Sequence, residues 1–316
     1  MVRWGLLGAG MIAHRFCASL RNEKDSVLYA ISGRNREKLE TFAQKNPCEK
    51  IYTNYDEMLA DPEIDAVYLA LPNSLHCEYA IKALKAKKAV LCEKPAVLSK
   101  KEMEEVANAA RENKTLFMEA LKPRFTPLYR ELKEKLDNGL IGTIRNIDTH
   151  IFFPRPDKPS HLDPIQGGII RDSGIYCASW YEDFLKNAKV RRSFVTMYYK
   201  TNVYIRSELD CGNEISSVLE AGFDARRTSQ ATIYGDKGYV IVDNFHRPEK
   251  AIVCLNDETV YTIEKPYEYD DFYGEIHHAV ECVKNGIYDS GIMSLDSSVN
   301  CHDLLDQIER SISKNG

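Results

Sequence analysis

At 316 residues the chain is long for a single hydrophobic core and fits two domains. Its 44% hydrophobic and 28% charged residues give a globular balance, and a formal net charge of −5 argues against nucleic acid or an anionic membrane as main partner. No apolar run approaches the roughly 20 residues of a membrane-spanning helix, and "MVRWGLLGAG" enters a motif at once without a signal-peptide layout, so a cytoplasmic protein is expected. Nine cysteines, an odd number without C-x-x-C spacing, read as reduced thiols used as small core residues.

In chain order, "VRWGLL", "SVLYAI", "DAVYLAL", "KAVLCE" and "TLFMEA" read as short buried strands. Amphipathic stretches such as "NREKLETFAQKN" and "LHCEYAIKALKAKK" lie between them, an order that implies parallel strands with crossover helices. Ser99 and Glu102 suit a capping box for "KKEMEEVANAARENK", and Gly139 suits the stop of "TPLYRELKEKLDNG". From "TIRNIDTHIFF" onward the texture changes to longer alternating segments: "KVRRSFVTMYYK", "EISSVLEAGFDA", "TSQATIYGDKGYVIVDNF", "KAIVCLN" and "ETVYTIEK". These predict a mostly antiparallel sheet with hairpin turns such as "GDKG", followed by two helices around "DFYGEIHHAVECVKNG" and "DSSVNCHDLLDQIERSISK".

The first strand runs into Gly8-Ala9-Gly10-Met11-Ile12-Ala13, a G-x-G-x-x-A pattern. A dinucleotide requires such a pattern: the first glycine makes the tight turn, the second lets backbone approach the pyrophosphate, and a small third residue packs helix on strand. The second strand ends in Ile31-Ser32-Gly33-Arg34, without the acid that usually holds an NAD ribose. Ser32 and Arg34 instead suit a 2'-phosphate, so NADP(H) is favoured and NAD(H) stays possible. Further on, "LALPNSLHCEYA" interrupts the chain at Pro72 and Asn73 where a doubly wound sheet opens its crevice. Asn73 and His76 are expected to border the nicotinamide.

Taken together, "GLLGAGMIA", "DPEIDAVYLALPNSLH", "CEKPAVLS", "MEALKPRFTP" and "GGIIRDSGIYC" resemble the Gfo/Idh/MocA oxidoreductases, within them the branch of dihydrodiol dehydrogenase and glucose-fructose oxidoreductase. The resemblance spans nearly the whole chain, with Glu-Lys-Pro as its most specific element. It implies an α/β N-terminal Rossmann domain over residues 1–120 that binds NADP. It also implies an α+β C-terminal domain over residues 121–316, carrying a large, mostly antiparallel open-faced β-sheet for substrate binding and oligomerisation. The implied cofactor-binding set is Gly8, Gly10, Met11, Ile12, Ala13, Ser32, Gly33, Arg34, Leu71, Asn73, His76, Glu93 and Lys94.

Hydride exchange at a carbinol carbon requires a proton to leave or join the oxygen. Lys94, at the carboxyl end of a strand, can stabilise the developing alkoxide or lower the pKa of a neighbouring acid-base group, and Pro95 fixes the turn that aims it. The resemblance implies Asp172 and Tyr176 as its catalytic partners, with four-residue spacing that gives one helix face if the segment is helical. A tyrosine needs a nearby cation to act as a base near neutrality, which Lys94 could supply. Substrate contacts are expected from Lys122, Arg124, His161, Asp172 and Tyr176, with Gln166 and Arg171 reshaping the pocket. Lys122 stands where dihydrodiol-oxidising relatives have tryptophan, which favours a polar or anionic substrate.

Tyr129 and Lys133 have the Y-x-x-x-K spacing of short-chain dehydrogenases but lie in a charged helix without the matching glycine pattern, and are set aside. His277, His278 and Cys282 complete no metal-ligand pattern, so no metal is expected. The expected function is an NADP-dependent oxidoreductase acting on a sugar, polyol or related cyclic alcohol, as a homodimer or higher homo-oligomer. A trans-dihydrodiol dehydrogenase and a non-catalytic NADP-binding sensor are the alternatives.

Overall fold

The computed structural model describes residues 1–154, 162–163, 167–185, 188–212, 215–223, 227–256 and 259–312. They form two compact units, one of Met1–Val97, Lys101–Lys122 and Glu268–Val299, the other of Leu98–Lys100, Pro123–Tyr267 and Asn300–Gly316. Neither unit is one continuous stretch: the chain passes briefly into the second unit at Leu98–Lys100 and enters it again at Pro123. Residues 268–299 return to the first unit.

The first unit contains strands β1 (Val2–Leu7), β2 (Ser26–Ser32), β3 (Lys50–Tyr52), β4 (Ala66–Leu69), β5 (Ala89–Glu93) and β6 (Phe117–Ala120). Its helices are α1 (Met11–Leu20), α2 (Arg36–Lys45), α3 (Tyr55–Leu59), α4 (His76–Lys85) and α5 (Lys100–Asn113). All six strands are parallel, in the order β3-β2-β1-β4-β5-β6. Strands covered on both faces need continuous apolar runs, and β4 is buried at every position. Leu7 pairs with Ser32 and with Leu69, and Leu69 pairs with Cys92, so β1, β2, β4 and β5 finish along one edge. The strand order reverses between β1 and β4, which is where such sheets bind ligands.

The second unit begins with α6 (Pro127–Asp137) and strand β7 (Ile144–Phe152), then two consecutive helices, α7 (Ile169–Asp172) and α8 (Gly174–Phe184). Seven strands follow: β8 (Lys189–Tyr198), β9 (Thr201–Asp210), β10 (Ser216–Gly222), β11 (Gln230–Gly235), β12 (Gly238–Asp243), β13 (Lys250–Leu255) and β14 (Thr259–Glu264). Their order is β14-β13-β12-β11-β7-β10-β9-β8, antiparallel except for the β7/β10 pair. Alternation buries Ile147, Ile151, Ile205, Leu219 and Ile233, and Tyr181 of α8 donates its hydroxyl to the Ile147 carbonyl at 2.6 Å. Phe194, Met197 and Tyr198 at the β8 edge stay about half exposed. The chain ends with α9 (Tyr273–Lys284), in the first unit, and α10 (Leu295–Ile312). Among the described residues no helix is long and apolar enough to cross a membrane.

Candidate active site

At the end of β1 the chain turns through Gly8, whose φ of +94° favours glycine and where a Cβ would stand 2.5 Å from the Ala70 carbonyl oxygen. Gly10 precedes α1 and has open space for 4 Å around a would-be Cβ. It gives α1 no side-chain cap, and the first turn contains no acid. Uncapped helix amides beside an open glycine suit a pyrophosphate, so the residues fit the group that the motif implies. Met11 is exposed, Ile12 half-buried and Ala13 sealed against the sheet.

The end of β2 divides its two expected phosphate contacts. Ser32 is fully buried and its hydroxyl is closed to solvent, so it corrects the expectation of a Ser32 contact with the 2'-phosphate. Gly33 is buried too, its amide donating to the Tyr52 carbonyl at 3.2 Å. Arg34 is exposed at the head of α2. The 2'-phosphate expectation thus narrows to Arg34.

Beyond β4, Leu71 is buried and a 3-10 turn, Asn73–Leu75, leads into α4 with Asn73 half-buried. His76 does not border open space. Its ring is sealed, Nδ1 lying 3.0 Å from the Pro95 carbonyl and Nε2 2.8 Å from the Leu71 carbonyl. Burial holds its pKa below the ordinary imidazole value, against the pull of the two carbonyls. The histidine therefore ties the turn after β4 to the turn after β5 and does not line the crevice.

The β5 turn carries half-buried Glu93 and Lys94, with a cis Lys94–Pro95 peptide bond. Glu93 accepts the hydroxyl of Tyr68, a β4 residue stacked on Phe16 at 3.9 Å. Burial pushes the Glu93 carboxyl above the usual range, the Tyr68 hydrogen bond and the charges of Lys94 and Lys122 opposing it. Lys122, expected to meet substrate, is 5% exposed and its ammonium lies 2.8 Å from Asp271 Oδ2. Arg15 pairs with the same carboxyl group.

In the second unit Asp172 ends α7 and Tyr176 lies in the first turn of α8, on either side of a break at Ser173. The four-residue spacing is kept, but across two short helices and not along one. Asp172 is half-buried and accepts the Ser173 hydroxyl at 3.1 Å, whereas Tyr176 is 6% exposed. Arg124 is corrected in the same way as Lys122. At 1% exposure it donates to the Ser179 carbonyl and to Glu182 at 3.0 Å, and pairs with Asp183 at 2.9 Å. Arg171, 5% exposed, pairs with Asp306 at 2.7 Å and Glu309 at 2.6 Å, so its charge braces α7 on α10. Two carboxylates compensate the charge of the guanidinium, while its Nη1 is buried without a hydrogen-bond partner among the described residues. His161 and Gln166 lie outside the described residues.

Residues 2–121 match the profile of the GFO_IDH_MocA oxidoreductase family, with its NAD-binding Rossmann fold, and residues 129–241 match the family's C-terminal domain. The chain belongs to the Gfo/Idh/MocA oxidoreductase family. It is similar to trans-1,2-dihydrobenzene-1,2-diol dehydrogenase of Xenopus laevis, 27% identical over 320 residues covering 96% of each chain. It is also similar to scyllo-inositol 2-dehydrogenase (NADP(+)) of Bacillus subtilis, 27% identical over 329 residues covering 99% of this chain and 97% of the other. The solved structure of levoglucosan dehydrogenase in complex with NADH has the same fold, with a TM-score of 0.90 at 17% identity over 100% of this chain and 98% of that one.

Two residues of this Gfo/Idh/MocA chain escape a reading of the sequence. His246, in the turn after β12, is buried with its ring 5.9 Å from that of Tyr176 and 4.9 Å from that of Phe153. A lone histidine in "DNFHRP" forms no pattern with anything near it. Glu275, in the first turn of α9, is 1% exposed and lies within electrostatic reach of Glu93 and Tyr68. By sequence, an acid there reads as a solvent-facing partner of the helix dipole. The set-aside pair also finds ordinary employment: Tyr129 donates to Asp183, and Lys133 pairs with Asp137 at 2.6 Å.

Proposed function

We propose that this chain is an NADP-dependent oxidoreductase moving a hydride between nicotinamide and the carbinol or carbonyl carbon of a sugar, polyol or related cyclic alcohol, and that it works in the cytoplasm as a homodimer or higher homo-oligomer. The observation that carries this reading is the shared edge of β1, β4 and β5, where the glycine turn, the Pro72–Asn73 turn and Glu93–Lys94–Pro95 leave neighbouring strands. A nicotinamide dinucleotide, when bound, supplies or accepts the hydride. Gly8, Gly10 and the start of α1 would hold its pyrophosphate, and Arg34 its 2'-phosphate. Lys94 would stabilise negative charge on the substrate oxygen, Tyr176 would exchange the hydroxyl proton, and Asp172 would orient substrate hydroxyls.

NADP is favoured by the absence of an acid at the end of β2 and by a relative that carries NADP(+) in its name. A cyclic alcohol is favoured by the names of both sequence relatives. The preference for an anionic substrate loses its ground, because the Lys122 charge is matched by Asp271. A trans-dihydrodiol therefore stands as the second reading, supported by the Xenopus laevis relative. NADPH absorbance with ketoses and dicarbonyls, and NADP reduction with inositols, sugars and trans-dihydrodiols, tests both. Turnover of one class at ten times the kcat/KM of the other assigns the substrate. Tight NADPH binding with no turnover across the panel would instead support the sensor.

A further inference from the structure

Paired residues on neighbouring parallel strands share a sheet face, and one such row runs Leu7, Leu69, Cys92, Glu119 across β1, β4, β5 and β6. The first three are buried members of a single apolar core cluster. Glu119 is equally sealed from solvent, yet it ends the row with a carboxyl group where an apolar side chain would avoid the cost of desolvation. Such a group is tolerated in a core when it is hydrogen-bonded. Glu119 Oε1 accepts the amide of Ala96 at 2.8 Å, and Ala96 stands two residues beyond Lys94.

The paired stretch of β5 and β6 ends at Glu93 and Ala120, immediately before Lys94. The Glu119 side chain carries the attachment of β6 past that end, to the far side of Lys94 and Pro95. Two other groups fasten the same turn: Tyr68 of β4 donates to Glu93, and His76 Nδ1 lies 3.0 Å from the Pro95 carbonyl. We infer that Glu119 is a positioning residue for Lys94, fixing through the Ala96 amide the backbone from which the lysine side chain departs. The inference rests on the reading of Lys94 as the group that stabilises charge on the substrate oxygen. A catalytic group displaced by about 1 Å can lose on the order of 100-fold in rate, which gives a buried acid beneath the turn a reason to be there.

Two substitutions separate this role from plain packing. Glu119→Gln keeps an oxygen acceptor in the same place, whereas Glu119→Met fills the space without one; Glu119→Ser, too short to reach Ala96, replaces the methionine variant if that does not fold. NMR hydrogen exchange at the Ala96 amide, on the full chain without cofactor or substrate, tests the tether. Exchange should be about tenfold or more faster in Glu119→Met and unaltered in Glu119→Gln and Lys94→Met. Equal exchange in all four proteins would overturn the inference, whether or not a substrate is known. Steady-state kinetics test the positioning. Glu119→Met should lower kcat by about tenfold or more, with KM and NADPH affinity within about threefold, and Glu119→Gln should keep kcat within about threefold of the unmutated enzyme. A full kcat in Glu119→Met, or an equal loss in Glu119→Gln, would reject the role. Lys94→Met measured beside them tells the two failures apart: if it loses turnover and Glu119→Met does not, only the role of Glu119 falls, and if it keeps full turnover, the reading of Lys94 falls as well.

Discussion

The ammonium of Lys122 lies 2.8 Å from Asp271 Oδ2 and 4.8 Å from the centre of the Phe272 ring, with both charged side chains less than a tenth exposed. A lysine read from sequence as a substrate donor is thus an internal ion pair. Removing one partner of a buried pair costs about 3–5 kcal/mol, and Arg15 would still hold Asp271. Lys122→Met should therefore lower stability by about 3 kcal/mol while changing the kcat/KM ratio of anionic to neutral substrates by less than about threefold. Urea unfolding and paired kinetics measure the two effects. A tenfold selective loss for anions at unaltered stability would return Lys122 to the substrate.

His76 makes the protein acid-sensitive in a defined direction. Its folded pKa is depressed by burial, so between that value and the unfolded value of about 6.5 the unfolded chain binds more protons. Stability from this group is present above about pH 6.5 and is lost as pH falls through the folded value. Each pH unit of separation is worth about 1.4 kcal/mol. His76→Gln should flatten the stability curve on the acid side, and should weaken cofactor binding because Leu71 and Pro95 lose their common anchor. Denaturant titrations from pH 5 to 8 decide it, and equal slopes in the two proteins would remove His76 from the acid response.

For the cofactor, Arg34→Ala should cost about 1–3 kcal/mol in NADPH affinity and little in NADH affinity, the scale for losing a charged hydrogen-bond partner. Ser32→Ala should leave the ratio of the two affinities within about twofold, since the hydroxyl is closed off beneath the turn. Fluorescence titration of both cofactors against both variants measures this. A Ser32→Ala loss confined to NADPH would show that the turn opens to admit the phosphate.

What could be read from the sequence was local. The glycine turn, the strand ends and Glu93-Lys94-Pro95 depend on neighbouring residues and appear where their motifs place them. Strand β3 has only three residues, too few for a period, and β9 carries Asn202, Arg206, Glu208 and Asp210 on one face of its alternation. The return of α9 to the first unit was invisible because an amphipathic pattern says that a face is buried, not against what. The same limit governs the charges. Arg171 finds Asp306 and Glu309 at separations of 135 and 138 residues, and Arg124 finds Glu182 at 58. An arginine near a motif therefore read as a donor awaiting substrate, when folding had already supplied its carboxylates.

The last prediction concerns the proton at Tyr176. A phenol exchanges its proton readily near neutrality only with help from a neighbouring positive charge. His246 lies beside that ring and is the side-chain type that titrates closest to neutrality. Tyr176→Phe and Lys94→Met should each lower kcat by roughly 100-fold or more, the scale for acid-base groups, with cofactor affinity falling far less. If the two serve the same proton, the double variant loses much less than the sum. His246→Asn should cost about tenfold in kcat/KM. His246→Phe, which keeps an aromatic ring against Phe153 but has no charge, should lose as much. If Phe at that position restored full activity while Asn did not, His246 would be a packing residue. Near-normal turnover in Tyr176→Phe, with hydride transfer rate-limiting, would move the proton to Lys94.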